Sequence, residues 1–173
     1  MSKTFLEIFS RYHPDAELSA LLQSADPDGI ALRADRGQRI MEATLPFPQY
    51  VPKRTLYRIE EEIRQVYELN AVRLCPKYRA ELFDSTRIPD LLSETNRSGS
   101  VANGFFNHCE YHLQNGFLRI EIPFTEDGVG LMYDAQTPHL MEEIVLREFG
   151  VPIRVEIRQM EAFDPMADQG GLY

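Results

Sequence analysis

Two stretches of this chain, 81 residues apart, carry the same local pattern, and that pattern limits the folds open to it. Glu61-Glu62-Ile63 sits in a predicted helix, and nine residues later comes the strand-like Val72-Arg73-Leu74. Glu142-Glu143-Ile144 is followed at the same interval by Ile153-Arg154-Val155. A predicted β-hairpin precedes each helix. The expected fold class is therefore α+β: two tandem hairpin–helix–strand modules, the second with extra N-terminal helices. The expected boundaries are 1–78 for the first module, 79–160 for the second and 161–173 for a disordered tail or linker.

The helices and hairpins follow from periodicity. Phe5, Ile8 and Phe9 have helical spacing, as do Leu18, Leu21 and Leu22, with Asp15 placed to cap the second group. Asp26-Pro27-Asp28-Gly29 is a turn. Ile30, Leu32 and Ala34 alternate, Arg36-Gly37 turns the chain, and Met41, Ala43 and Leu45 alternate on the return, predicting a hairpin with one apolar face. Pro46-Phe47-Pro48-Gln49-Tyr50-Val51-Pro52 is an extended connector, because three prolines forbid regular structure. The clearest helix runs from about Lys53 to Leu69, with Leu56, Ile59, Ile63 and Val66 as its stripe and Asn70 as a left-handed stop. Ala71 to Cys75 closes the module, and 76–89 reads as a linker or irregular wrap.

In the second module Ile88, Leu91 and Leu92 predict a helix ending near Asn96, and Ser98-Gly99-Ser100 breaks the chain before 101–106. Asn115-Gly116 is the strongest short hairpin signal in the sequence. Leu118, Ile120, Ile122 and Phe124 alternate behind it. Thr137-Pro138 opens a helix that buries Leu140, Met141, Ile144, Val145 and Phe149 and stops at Gly150. Ile153, Val155 and Ile157 predict the last strand.

Residue spacing supports no site of chemistry. His108 and His112 have metal-ligand spacing on a helix, but this segment runs into a hairpin. In a strand, residues four apart lie roughly 13 Å from each other and do not share an ion. Asp26 and Asp28 are read as turn formers around Pro27, not as magnesium ligands. The glycine loops Ser98-Gly99-Ser100 and Gly128-Val129-Gly130 lack the phosphate-cradling pattern, and spacing supports no Ser-His-Asp triad. No catalytic residue, metal site or cofactor is assigned within the chain.

Charge bears on partners. With 27 acidic against 18 basic residues, net −9, the chain is repelled by phosphate backbones unless its cations cluster. The candidates for such a face are Lys53, Arg54, Arg58, Arg64 and Arg73. Hairpin–helix–strand units resemble incomplete KH folds, yet a working KH domain needs a GxxG clamp, and none occurs in this chain. Cys75 and Cys109, with no CxxC, fit a reducing, cytoplasmic setting. The first residues lead into a short amphipathic segment instead of a signal core, and no stretch approaches the roughly 18 apolar residues of a membrane span. Adjacent Phe105 and Phe106 point in different directions, so one serves a core and the other a contact. Together with Tyr133 they are the candidate partner-binding residues.

Several of these runs, in this order, resemble a known family. Leu45-Pro46-Phe47 leads to Tyr57-Arg58-Ile59-Glu60-Glu61-Glu62-Ile63. Ile88-Pro89-Asp90-Leu91-Leu92, Asn115-Gly116-Phe117-Leu118-Arg119-Ile120 and Glu142-Glu143-Ile144 with Arg147-Glu148-Phe149-Gly150 follow. Together they look like the N-terminal region of the PolC-type DNA polymerase III alpha subunit, the replicase of low-GC Gram-positive bacteria. The resemblance runs from about Phe5 to Asp164. It implies two small N-terminal domains, the second similar to the protein-binding domain of the clamp-loader tau subunit and to the first domain of the initiator DnaA. Both of those are truncated KH-like folds that dock proteins. The family's barrel, exonuclease and polymerase parts have no counterpart here, so its catalytic aspartates carry over to no position. The implied role is non-catalytic docking of replisome proteins, with the tau subunit, helicase and primase as candidates. A KH-like module binding single-stranded nucleic acid is the alternative, and a free-standing small enzyme the third reading.

Overall fold

The computed structural model describes residues 2–99, 104–123 and 127–160. Helices and strands are mixed, and the strands form two separate three-stranded sheets, so the fold is α+β. The chain divides into two compact units. The first comprises residues 1–84 together with 145–151, and the second 85–144 with 152–173. The division thus falls six residues beyond the sequence-based boundary at 78, and the first unit takes in a piece of chain from far downstream. The predicted tail, 161–173, and Phe124 lie outside the described residues.

Unit one opens with two short helices, α1 (Phe5–Ile8) and α2 (Ala16–Gln23). Thr4 and Asp15 cap them, their side chains accepting the Glu7 and Leu18 amide protons. Such caps satisfy donors that the first turn leaves unpaired. The predicted turn at Asp26 is a 3-10 turn over Pro27–Gly29, with the Asp26 carboxylate accepting from the Asp28 amide. β1 (Ala31–Asp35) and β2 (Ile40–Pro46) then pair antiparallel. Helix α3 (Lys53–Val66) carries the chain across to β3 (Ala71–Lys77), which lies parallel to β2. The order β1-β2-β3 leaves β1 and β3 at the edges. An edge also accommodates Pro76, which has no amide proton for a ladder.

The core of this unit is set by period. Met41, Ala43 and Leu45 on β2 and Val72 and Leu74 on β3 are buried at every second position, facing Leu56, Ile59 and Ile63 of α3. Burying each of the larger of these side chains stabilises the fold by roughly 1.5–3 kcal/mol. The proline connector is not a loose spacer: Phe47 and Val51 are buried, and the Val51 amide and carbonyl both bond the Tyr78 hydroxyl at 3.2 Å. Two expectations need correcting. Asn70 does not supply the left-handed stop; Glu68 does, at φ +52°. Asn70 instead ties to the hairpin turn, its amide proton donated to the Arg39 carbonyl and its side chain to the Gln38 carbonyl. And β1 is exposed at all five residues, Leu32 at 45%. Leu32 and Ala34 do face the core side, opposite Ala43 and Met41, but no described residue covers them enough to bury them.

Unit two begins with α4 (Ile88–Ser98), which has Pro89 in its first turn and buries Ile88, Leu91 and Leu92. β4 (Glu110–Gln114) and β5 (Phe117–Ile122) form the Asn-Gly hairpin. Both turn residues have positive φ, +52° at Asn115 and +76° at Gly116, the geometry that matches strand twist. Gly128-Val129-Gly130, expected as a loop, instead opens a seven-residue helix, α5 (Gly128–Asp134). Helix α6 (Thr137–Phe149) follows, with Thr137 as its first helical residue, and it ends at Gly150, φ +66°. β6 (Arg154–Gln159) pairs parallel to β5, giving the order β4-β5-β6. Both units therefore share one strand topology: an antiparallel hairpin, a helix, and a strand parallel to the second hairpin strand. The 81-residue repeat survives in burial, since Ile63 and Ile144, Val72 and Ile153, and Leu74 and Val155 are all core residues.

Candidate docking surfaces

Of the five cations proposed as a basic face, four lie on α3 and Arg73 on β3, and three of the five are matched to carboxylates. Lys53 is buried at the start of α3, paired with Glu148 at the end of α6 inside unit one; their side chains are 4% and 3% exposed. Arg58 bridges Asp15 and Glu62, both at 2.9 Å. Arg64 holds Glu61 at 2.6 Å. That contact, first, and a bond from Gln65 draw the Glu61 carboxyl down to a pKa of about 2. At these three positions the charges are closely paired.

Among the described residues no three His, Cys, Asp or Glu side chains gather to hold a metal ion. His108 lies in a turn at φ +60° and His112 within β4. Burial pushes the Cys109 thiol above its usual range, away from nucleophilic thiolate. Among the described residues no helix is long and apolar enough to cross a membrane.

The three candidate anchors fall in different settings. Phe106 is 7% exposed and belongs to the core of unit two, while Phe105, beside it, is half-buried. Tyr133 lies on α5, 45% exposed as a residue, and its hydroxyl accepts the Ile157 amide proton at 3.1 Å. No ring contact among the described residues joins the three to one another. Tyr133 shares a second duty with Glu142, whose carboxylate accepts the Val155 amide proton at 3.0 Å. Ile157 and Val155 belong to β6, an edge strand, so two of its amides are occupied by side chains. An occupied edge does not template another strand.

Unit one contrasts with this. Beyond its ladder with β2, the backbone of β1 enters no hydrogen bond with the other described residues. On the core side of that strand lies an open groove of about 390 Å³, lined chiefly by Phe9, Ala34, Met41, Tyr67 and Leu69, with Asp35, Arg36 and Arg39 as its charged residues. Sequence periodicity had placed Ala34 and Met41 on one face but gave no sign that the face is left open.

The chain matches no protein-family model and no curated protein.

Proposed function

We propose that this chain is a non-catalytic protein-interaction region of a bacterial replicative DNA polymerase of the PolC type, docking replisome proteins in the cytoplasm. The observation that carries the reading is two like ββαβ units in which, among the described residues, no metal-holding cluster gathers and three of the five candidate cations are paired with carboxylates. Read as KH-like, these units lack a GxxG clamp, and the pairing of Lys53, Arg58 and Arg64 with carboxylates supports protein contact over nucleic-acid contact. Half-buried Phe105 and exposed Tyr133 are the proposed anchors in unit two; such anchors carry most of the affinity of an interface inside a polar rim. The tau subunit, the helicase and the primase are the partners to try.

The test is direct. The purified 173-residue chain is titrated against each of these three proteins and, separately, against oligo-dT, at low and moderate salt. Saturable binding to one protein that survives moderate salt, with no oligo-dT binding, is the expected result. Binding to oligo-dT alone, falling steeply with salt, would overturn it in favour of the single-strand-binding alternative. An immunoblot on the native cell adds a second check: a band many times larger than 20.0 kDa is expected of a polymerase piece.

A further inference from the structure

We propose that unit one binds an extended segment of a partner protein as a fourth strand on β1, and that the segment combines alternating apolar residues with an acidic end. This rests on the interaction reading above and names its surface and the chemistry of its partner.

Three observations converge. First, β1 is an edge strand, contains no proline, and has its outward amides and carbonyls unoccupied, whereas two amides of the β6 edge are covered by Tyr133 and Glu142. An open edge is the template for strand addition, in which main-chain hydrogen bonds supply affinity. Second, alternate side chains of an added strand would fall on the core side, where Leu32 is 45% exposed and the groove beside Ala34 is walled by Phe9, Met41, Tyr67 and Leu69. The pleat thus offers a pocket for apolar residues at every second position.

Third, the charged residues lining the groove are mainly basic, Arg36 and Arg39 against Asp35, in a chain that is acidic as a whole. Arg11 lies over the Tyr67 ring at 5.0 Å and donates to the Val66 carbonyl. Arg39 donates to the Glu68 and Tyr67 carbonyls. Both guanidiniums bond neutral carbonyls, so their positive charge is not cancelled, unlike that of Arg58 and Arg64. Arg36, in the hairpin turn, makes no ion pair among the described residues. Asp35 is the one carboxylate lining the groove. A carboxylate at the end of the incoming strand would meet Arg36 and Arg39 there, and arginine–carboxylate bonds are among the stronger polar contacts.

The experiment selects binders from a random dodecapeptide library against the intact 173-residue chain. Selected peptides are then measured by titration and by amide NMR shifts on the chain. The expected peptides alternate apolar residues and carry Asp or Glu near one terminus, and they shift the amides of 31–36. Arg36→Glu and Ala34→Asp, both on the exposed hairpin and checked for an unchanged urea midpoint, each weaken them at least tenfold. No selectable binder, or binders indifferent to both substitutions, overturns the proposal. So does a concentration-dependent dimer that shifts the same amides, since a second copy would then be the occupant. Retained binding of a replisome protein alongside either failure would leave the interaction reading standing and remove only this surface.

Discussion

Lys53 and Glu148 show how a single pair of residues can outweigh many surface contacts. Both side chains are almost wholly out of water, so neither charge is tolerable alone. Lys53→Ala or Glu148→Ala is expected to cost about 3–5 kcal/mol, while Lys53→Met with Glu148→Leu costs much less than the two single changes added together. Urea unfolding of the four proteins measures this cycle, and additive losses would show that the two charges do not depend on each other. The exposed Glu61–Arg64 pair behaves differently. Its folded pKa of about 2 lies below the ordinary 4.5, so any stability it lends is complete above pH 4.5 and fades as the pH falls through about 2. Carboxylate NMR should find Glu61 still ionised at pH 3 in the native chain, and Arg64→Ala should return its midpoint towards 4.5. An unmoved midpoint would show that Arg64 is not the cause.

Elements built from local signals are the ones the sequence makes legible. The Asp15 cap, the α3 stripe and the Asn115-Gly116 turn each depend on residues a few positions apart. Gly116→Ala puts a side chain at φ +76°, where the neighbouring Pro152 carbonyl at 3.7 Å is not in the way. The penalty is therefore one of backbone conformation, expected at about 1 kcal/mol by thermal unfolding. Asp15→Ala should cost a similar ~1 kcal/mol through loss of the α2 cap; no loss would mean that neither the cap nor the Arg58 pair stabilises the unit. Helix α5 was illegible because Gly128 and Gly130 hide its start and its seven residues show no long periodic stripe. The openness of β1 was illegible for another reason. Alternation in Leu32 and Ala34 says which face they share, not whether anything covers it.

At the scale of the whole molecule, the least legible fact is that unit one is discontinuous. Nothing in the local pattern of Lys53 announces a carboxylate 95 residues away, and a boundary drawn by composition cuts between them. The division predicts what a fragment will do. Residues 1–84 alone lack Glu148, the Glu148 carbonyl that accepts the Tyr78 amide proton, and the Phe149 ring packed 5.1 Å from Tyr78. That fragment should unfold at markedly lower urea than the same residues within the full chain, and Lys53→Met should recover part of the loss. Equal midpoints would show that 145–151 is dispensable to unit one.

The discontinuity also sets a timetable. A ribosome delivers the first 84 residues well before it delivers 145–151. At roughly 5–20 residues per second that interval is several seconds, far longer than a hairpin or helix needs to form. Through that interval the nascent first unit lacks the Glu148 carboxylate that Lys53 binds and the Phe149 ring that packs on Tyr78. The part of the chain made first thus waits for 145–151 before it can be finished, and a chaperone acting during translation would find its substrate there.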